Sequence, residues 1–336
     1  MIEGKNISKN FVSRKIFLLL VIAVILLLVG IHFRTKSSSD ISVKDAEKQI
    51  EENLRAAGVS EYEKIDLQAY EKQAGVNLSK YVSYRFFYTS DDLKIEAFLS
   101  APIDLLGKKK SPCLIYNHGG NRSYGALKNV ETTYYAYQFH TICVASNYRG
   151  CGKSEGTDAF GGDDVHDVIH LLDLCENLDF VDTSKINMLG VSRGGMMTYE
   201  TLREDRRIHK AVVVAGVADC TMNYEEREDM RSLLTELIGG TPEQLPEEYS
   251  RRSAVAWADE INTPLLIFHT TGDDKVSIKQ ADKLVKQLKK YQKDYEYVRL
   301  NPIFMGICEK RMWKKSGNSL KPGLNKIFRN FISTHT

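Results

Sequence analysis

The sequence has no excess of charge of either sign. Its 46 Lys and Arg residues are matched by 44 Asp and Glu residues, which leaves a formal net charge of +2 at pH 7. A domain that binds nucleic acid usually carries a basic surface, so the composition gives no indication of such a partner. No internal repeat is evident, and the apolar fraction of 43% is ordinary for a globular protein.

Cysteine is sparse. The six cysteines follow no Cys-x-x-Cys spacing, and Cys113 and Cys143 fall inside apolar runs, where cysteine behaves as a small hydrophobic residue. We therefore expect neither a disulfide framework nor a metal site. No motif in the chain calls for a cofactor.

One long apolar run lies near the N-terminus. Residues 16–33 contain no charged side chain and would span roughly 27 Å as a helix, which is close to the thickness of a bilayer core. More positive charge precedes the run than follows it. This asymmetry predicts a cytoplasmic segment at 1–15, an uncleaved transmembrane anchor at 16–33 and a domain outside the cell membrane. A cleaved signal peptide is the alternative, but no good small-residue cleavage site follows the run. The preceding positive residues are Lys5, Lys9, Arg14 and Lys15.

The segments before residue 81 carry no chemical motif. Residues 34–40 are polar, and residues 41–80 have apolar side chains spaced along one face of a helix. We interpret 34–80 as a linker and helical stalk that leads to one domain at 81–336.

Eight strand-like segments follow from residue 81. The first two alternate in polarity and predict an antiparallel hairpin. The later ones are short, apolar and mostly separated by helical stretches, which predicts a largely parallel sheet covered by helices on both faces. The charged segment at 217–263 is longer than a simple crossover and is expected to form a small helical cap. The predicted strands are 81–87, 94–100, 113–117, 141–146, 186–189, 211–215, 265–269 and 295–300.

A serine lies between glycines directly after one of these strands. Residues 190–195 read GVSRGG, and a helix-compatible stretch follows. A strand, a sharp glycine-flanked turn and a helix are the context of a nucleophile elbow. The sequence therefore predicts that Ser192 is a nucleophile at the N-terminus of a helix. An ordinary turn in which Ser192 only caps the helix is the alternative.

A second glycine motif follows the strand at 113–117. It reads HGGN from His118, and a loop of this kind supplies backbone N–H groups that face the serine. Together with the N–H that follows the nucleophile, it predicts an oxyanion hole built from Gly119, Gly120 and Arg193. Each such donor typically stabilises the transition state by roughly 3–4 kcal/mol. The His118 side chain is expected to brace the loop.

With these motifs in place, the chain resembles the catalytic domain of the prolyl oligopeptidase family, especially its bacterial dipeptidyl-aminopeptidase and acylaminoacyl-peptidase-like members. The resemblance implies an α/β-hydrolase fold with a mostly parallel eight-stranded sheet and a serine peptidase that acts on short peptides. A carboxylesterase is the near variant, since acyl transfer to serine is the same chemistry. The matching stretches are YNHGGNR (116–122), NYRGCGKSEG (147–156), GGDDVHD (161–167), GVSRGGMMTY (190–199) and PLLIFHTTGDDKV (264–276).

The same resemblance places the catalytic acid just after the strand LLIFH, at Asp273. Asp274 is the alternative at that turn. A buried carboxylate at this position would hold a histidine ring in the correct tautomer. A turn without a catalytic role is also compatible with the TGDD sequence.

The catalytic base is not identifiable. Relatives typically carry a histidine in the loop after the last strand, whereas this chain has Met305 at the corresponding position. A thioether cannot accept the serine proton. The one histidine after Asp273 is His335, near the C-terminus and beyond the last predicted helix.

Two functions therefore remain open. The first is a membrane-anchored serine peptidase with an unassigned base. The second is an impaired hydrolase-fold protein with a binding role, in which about 301–321 is a degenerated or frame-shifted stretch. That region contains a single acidic residue, Glu309.

Overall fold

The structure is a computed structural model that describes residues 41–107, 109–128, 130–300 and 322–333. The predicted cytoplasmic segment 1–15, the predicted anchor 16–33, Met305 and His335 lie outside these ranges. Within them, every helix is too short or too polar to cross a bilayer.

One sheet of nine strands organises the described domain. Its order is β1-β2-β3-β5-β4-β6-β7-β8-β9, in which the first three pairings are antiparallel and all pairings from β5 to β9 are parallel. The predicted antiparallel hairpin and the mostly parallel α/β sheet are therefore confirmed. The strands are β1 Glu61–Lys64, β2 Tyr81–Ser90, β3 Leu93–Pro102, β4 Ser111–Asn117, β5 Ile142–Ser146, β6 Val181–Val191, β7 Lys210–Val214, β8 Leu265–Thr270 and β9 Tyr295–Leu300.

Helices flank this sheet. They are α1 Val43–Ala56, α2 Gln68–Ala74, α3 Val130–Phe139, α4 Val165–Glu176, α5 Arg193–Glu204, α6 Cys220–Glu226, α7 Glu228–Ile238, α8 Pro246–Arg251, α9 Lys279–Lys290 and α10 Pro322–Ser333. Helices α3 and α10 pack together through the rings of Phe139 and Phe328, whose centroids are 3.8 Å apart. Helix α4 packs against α5. The helices α6, α7 and α8 occupy the segment predicted as a cap.

The prediction of eight strands was wrong by one. Strand β1 lies in the segment interpreted as a stalk and pairs with β2, from Glu61 opposite Phe87 to Lys64 opposite Tyr84. Its sequence EYEK has no apolar alternation, so its strand structure depends on the edge that β2 offers and not on a pattern of its own. Helix α1 also packs on the domain, since Ile50 and Leu54 are fully buried. The domain therefore begins before residue 81.

Candidate active site

Ser192 occupies a strained turn between a strand and a helix. Strand β6 ends at Val191, helix α5 begins at Arg193, and Ser192 has φ 58° and ψ −122°. A non-glycine residue in this region of backbone space is unusual and is favoured only where the surroundings hold it there. The turn also needs glycine nearby, because a Cβ at Gly194 would lie 2.0 Å from the carbonyl oxygen of Asn117. The glycines of the GVSRGG motif permit this close packing because they have no side chain.

The loop after β4 lies directly against this serine. A Cβ at Gly119 would be 3.0 Å from the Val191 carbonyl oxygen and 3.1 Å from the Ser192 Cβ, closer than ordinary van der Waals contact, so glycine favours this close approach of the loop to the serine. The backbone N–H groups of Gly119, Gly120 and Arg193 donate no hydrogen bond to any acceptor within the described ranges. Free N–H groups on both sides of a serine are the arrangement that an oxyanion hole requires.

His118 is buried within the loop. Its ring stacks on Tyr148, with centroids 4.4 Å apart and planes 12° apart, and its Nδ1 lies 2.8 Å from the Gly119 carbonyl oxygen. Burial lowers the pKa of His118 to about 4, and the charge of Arg193 acts in the same direction. The imidazole is therefore neutral at physiological pH and is held in place as a brace.

The Arg193 side chain forms a buried ion network beneath the elbow. Its guanidinium is 1% exposed and lies 2.8 Å from Asp158 and 2.5 Å from Asp164. It also donates from Nη1 to the carbonyl oxygen of Gly120 at 3.1 Å. Asp158 in turn accepts from the backbone N–H of Arg122, at 2.6 Å. One network thus links the elbow helix to the loop that contains the predicted oxyanion donors.

The two carboxylates of this network differ in their preferred state. Burial raises the pKa of Asp164 to about 6, even though Arg193 favours its charged form. Burial also opposes ionisation of Asp158. For Asp158, however, the charge of Arg193 and the N–H groups of Arg122 and Phe160 stabilise the carboxylate by more than burial destabilises it, so its pKa is lowered. Asp158 is therefore the main permanent counter-charge of the buried guanidinium.

The turn after β8 places Asp273 and Asp274 in opposite environments. The Asp273 side chain is 1% exposed, and its Oδ1 accepts the backbone N–H groups of Lys275 and Val276, both at 2.9 Å. Its buried Oδ2 has no hydrogen-bond partner in the described part of the chain. The Asp274 side chain is 83% exposed. A buried carboxylate with one unfilled oxygen can orient a donor, and a solvated one cannot hold it rigidly.

No described histidine serves Ser192. His269 is buried, and its Nε2 lies 2.7 Å from the Val276 carbonyl oxygen, which leaves it 3.7 Å from Asp273 Oδ2. His140 and His166 pair with surface carboxylates. The hydroxyl of Ser192 has no hydrogen bond to any residue in the described ranges. The base, wherever it lies, is not among these residues.

A cavity of about 940 Å³ opens at Ser192 between the loop and the cap. It is large enough for a short peptide or a drug-sized ligand. The cap contributes Asn223, Arg227 and Met230 to its wall. Arg227 is held there by Asp229, at 2.7 Å, and by the Lys275 carbonyl oxygen at 2.8 Å. Sequence reasoning missed these cap residues, because no motif marks them.

Comparison with known proteins gives this site a family. The sequence model described as the prolyl oligopeptidase family matches residues 129–301. The chain belongs to this family. It is 31% identical over 214 residues to the uncharacterized peptidase YtmA of Bacillus subtilis, an alignment that covers 63% of this chain and 82% of that protein. Membership confirms the resemblance stated above, which is to a family of serine-type peptidases.

Other similar proteins are longer. Dipeptidyl aminopeptidase B of Saccharomyces cerevisiae is 30% identical over 193 residues, which are 53% of this chain and 22% of that protein. The structure of Pyrococcus horikoshii acylaminoacyl peptidase superposes with a TM-score of 0.61 at 19% identity, over 75% of this chain and 41% of that one. The latter likeness shows the α/β-hydrolase fold. This chain thus spans about a fifth to two fifths of these relatives.

Beyond the catalytic loops, α5 carries an unusual carboxyl group. Glu200 is buried, its Oε2 accepts the Gly162 N–H at 3.1 Å, and its Oε1 has no partner in the described ranges. Burial raises the pKa of Glu200 to about 8, although Arg252 favours the charged form. The folded protein therefore holds this carboxyl group protonated at neutral pH.

Glu200 should make stability fall as pH rises. Its folded-state pKa lies above the ordinary value of 4.5, so the folded state binds the proton more tightly and loses stability between about pH 5 and pH 8. Glu200→Gln is expected to flatten this decline in urea unfolding midpoints measured across that range. The exposed Glu204, on the same helix, provides the control variant Glu204→Gln. An equal pH dependence in the wild type and Glu200→Gln would contradict the assignment.

Proposed function

We propose that the protein is a membrane-anchored serine peptidase that cleaves short peptides through an acyl-enzyme on Ser192. One observation carries the proposal: Gly119 packs against Ser192, and the N–H groups of Gly119, Gly120 and Arg193 have no acceptor in the described ranges. Unpaired N–H donors beside a strained serine can stabilise the negative charge that develops on the carbonyl oxygen of a substrate.

In the proposed reaction, the Ser192 hydroxyl oxygen attacks the substrate carbonyl carbon and gives its proton to a base. The carbonyl oxygen becomes an oxyanion and accepts from the N–H groups of Gly119, Gly120 and Arg193. The base then protonates the leaving amine. In the second half of the reaction, water attacks the acyl carbon and gives its proton to the same base, and Ser192 takes that proton back as it leaves. Asp273 orients the base through its unfilled Oδ2.

The base itself is a proposal about residues outside the described ranges. The buried Oδ2 of Asp273 leaves an acceptor for an imidazole N–H, and the resemblance supports a donor in the loop after β9. Met305 at that position favours an impaired site, whereas family membership favours a working peptidase. His335 is the histidine that remains if the C-terminus returns to the site.

For the substrate, we propose short peptides, because relatives are named dipeptidyl aminopeptidases and acylaminoacyl peptidases. The test is a panel of dipeptidyl p-nitroanilides, acylaminoacyl p-nitroanilides and p-nitrophenyl esters, with Ser192→Ala as the control. Hydrolysis of an anilide that disappears in Ser192→Ala supports the peptidase. Hydrolysis of esters alone would make the protein an esterase, and hydrolysis that survives in Ser192→Ala would exclude the proposed nucleophile.

The anchor leads to a separate prediction about topology. We propose that residues 16–33 span the membrane with residues 1–15 in the cytoplasm, because the positive charge is concentrated before the run. Protease added to intact cells is therefore expected to remove the peptidase domain, as followed by a C-terminal epitope tag. A domain that stays protected until the membrane is disrupted would place it on the other side.

A further inference from the structure

Three consecutive carbonyl groups of the loop at 118–120 are each held by a side chain. The Tyr148 hydroxyl donates to the His118 carbonyl oxygen at 3.1 Å. His118 Nδ1 lies 2.8 Å from the Gly119 carbonyl oxygen, and Arg193 Nη1 donates to the Gly120 carbonyl oxygen at 3.1 Å. A carbonyl oxygen can only accept, so the neutral His118 ring must carry its proton on Nδ1.

Each of these bonds also fixes an N–H group. In a trans peptide, the carbonyl of one residue and the N–H of the next lie in one plane and point in opposite directions. The described residues contain no cis peptide. The bonds to His118 and Gly119 therefore orient the N–H groups of Gly119 and Gly120, which have no acceptor in the described ranges. The bond to Gly120 orients the N–H of Asn121, which donates to Tyr124 at 2.9 Å.

The three side chains form one buried stack. His118, Tyr148 and Arg193 are each at most 1% exposed. The His118 and Tyr148 rings are parallel, and the guanidinium carbon of Arg193 lies 5.2 Å from the Tyr148 ring centroid. Asp158 and Asp164 hold the guanidinium through ion pairs. A stack fixed in this way leaves the loop little freedom to rotate its peptide planes.

We propose that Tyr148 and His118 are positioning residues, which hold the N–H groups of Gly119 and Gly120 in the orientation that an oxyanion requires, and that Arg193 fixes the next peptide plane of the same loop. The inference rests on the proposed function, since the oxyanion is that of the Ser192 reaction. Preorganised donors stabilise a developing charge without having to reorient during the reaction. Loss of the Tyr148 or the His118 bond should therefore slow the chemical step more than it weakens binding.

Tyr148→Phe tests this with the smallest change, because it removes one hydroxyl and keeps the stacked ring. With a fluorophosphonate probe, whose phosphonyl oxygen takes the place of the oxyanion, we expect the maximal labelling rate of Ser192 to fall by about 10- to 100-fold. The half-saturating probe concentration should stay nearly unchanged. Tyr88→Phe is the matched control, because the Tyr88 hydroxyl is also buried but bonds Ser146 and the Asp167 carbonyl. Equal labelling rates in Tyr148→Phe and Tyr88→Phe would overturn the proposal.

A second pair of variants tests whether His118 acts as a hydrogen-bond donor or only fills space. Asn at position 118 can place an amide N–H near the position of Nδ1, whereas Leu cannot donate. His118→Asn is therefore expected to keep a labelling rate at least about tenfold above that of His118→Leu. Equal rates in the two variants would show that His118 fills space only.

The tautomer of His118 provides a readout that does not depend on turnover. Nitrogen NMR of protein labelled at its eight histidines, with His118→Asn for assignment, should show a neutral ring protonated at Nδ1 from pH 5 to pH 7. A ring protonated at Nε2 alone, or a charged ring in that range, would overturn the proposed bond to Gly119. Failure of the proposed function would show instead as absence of any Ser192-dependent labelling, with the tautomer unchanged.

Discussion

Met305→His is expected to raise the rate of Ser192-dependent labelling by a fluorophosphonate probe by about 10²- to 10⁴-fold, the usual contribution of a general base. The serine hydroxyl is a weak nucleophile without a group that accepts its proton. Asp273 already offers a buried, unfilled oxygen that could orient an imidazole. The unmodified protein should accordingly react, but slowly.

Probe concentration and pH must be matched in this comparison, with Ser192→Ala as the control for both proteins. Met305→Leu is the matched variant that changes the side chain without adding a base, and it should not increase labelling. Fast labelling of the unmodified protein would show that a base is already present. In that case His335→Ala should abolish the reaction if the C-terminus supplies it.

Arg193→Met is expected to lower the free energy of unfolding by about 3–5 kcal/mol, because it leaves two buried carboxylates without their counter-charge. Asp158 and Asp164 are both at most 1% exposed and both pair with this guanidinium. Urea unfolding followed by circular dichroism measures the change. Arg207→Met is the comparison, since Arg207 also pairs with several carboxylates but is 32% exposed.

Arg207→Met should lower the free energy of unfolding much less than Arg193→Met, because ion pairs that are open to solvent are screened and contribute little. Equal losses in Arg193→Met and Arg207→Met would mean that burial does not strengthen the Arg193 network. The Arg193 variant should also be less destabilised at pH 5 than at pH 8. The pKa of Asp164 is already raised to about 6 by burial, and protonation removes part of the unpaired charge.

The elbow and the sheet around it could be predicted because their signals are local. A serine in a left-handed turn needs small neighbours, and Gly194 lies where any side chain would meet the Asn117 carbonyl. Continuous apolar runs predicted the parallel strands, since a strand that is buried on both faces has no polar positions. Strand β1 has neither signal. Its pairing partner alone makes it a strand.

The bracing role of His118 was predicted from its motif, but the rest of the support of the oxyanion loop could not be predicted in the same way. Tyr148 lies thirty residues from His118 in the chain, and only the parallel pairing of β4 with β5 brings the loops that follow these strands together. The sequence motif NYRG around Tyr148 resembles relatives without indicating what its ring contacts. The Arg193 side chain was likewise missed, because the motif assigns a role to its backbone N–H alone.

The most direct test of the account is a crystal structure of the protein after prolonged exposure to a fluorophosphonate. We predict a covalent bond between phosphorus and the Ser192 Oγ, with the phosphonyl oxygen about 2.7–3.1 Å from the N–H groups of Gly119 or Gly120 and of Arg193. The same structure should show which group donates to Asp273 Oδ2. A phosphonyl oxygen that points away from these N–H groups, or an adduct on a residue other than Ser192, would contradict the account.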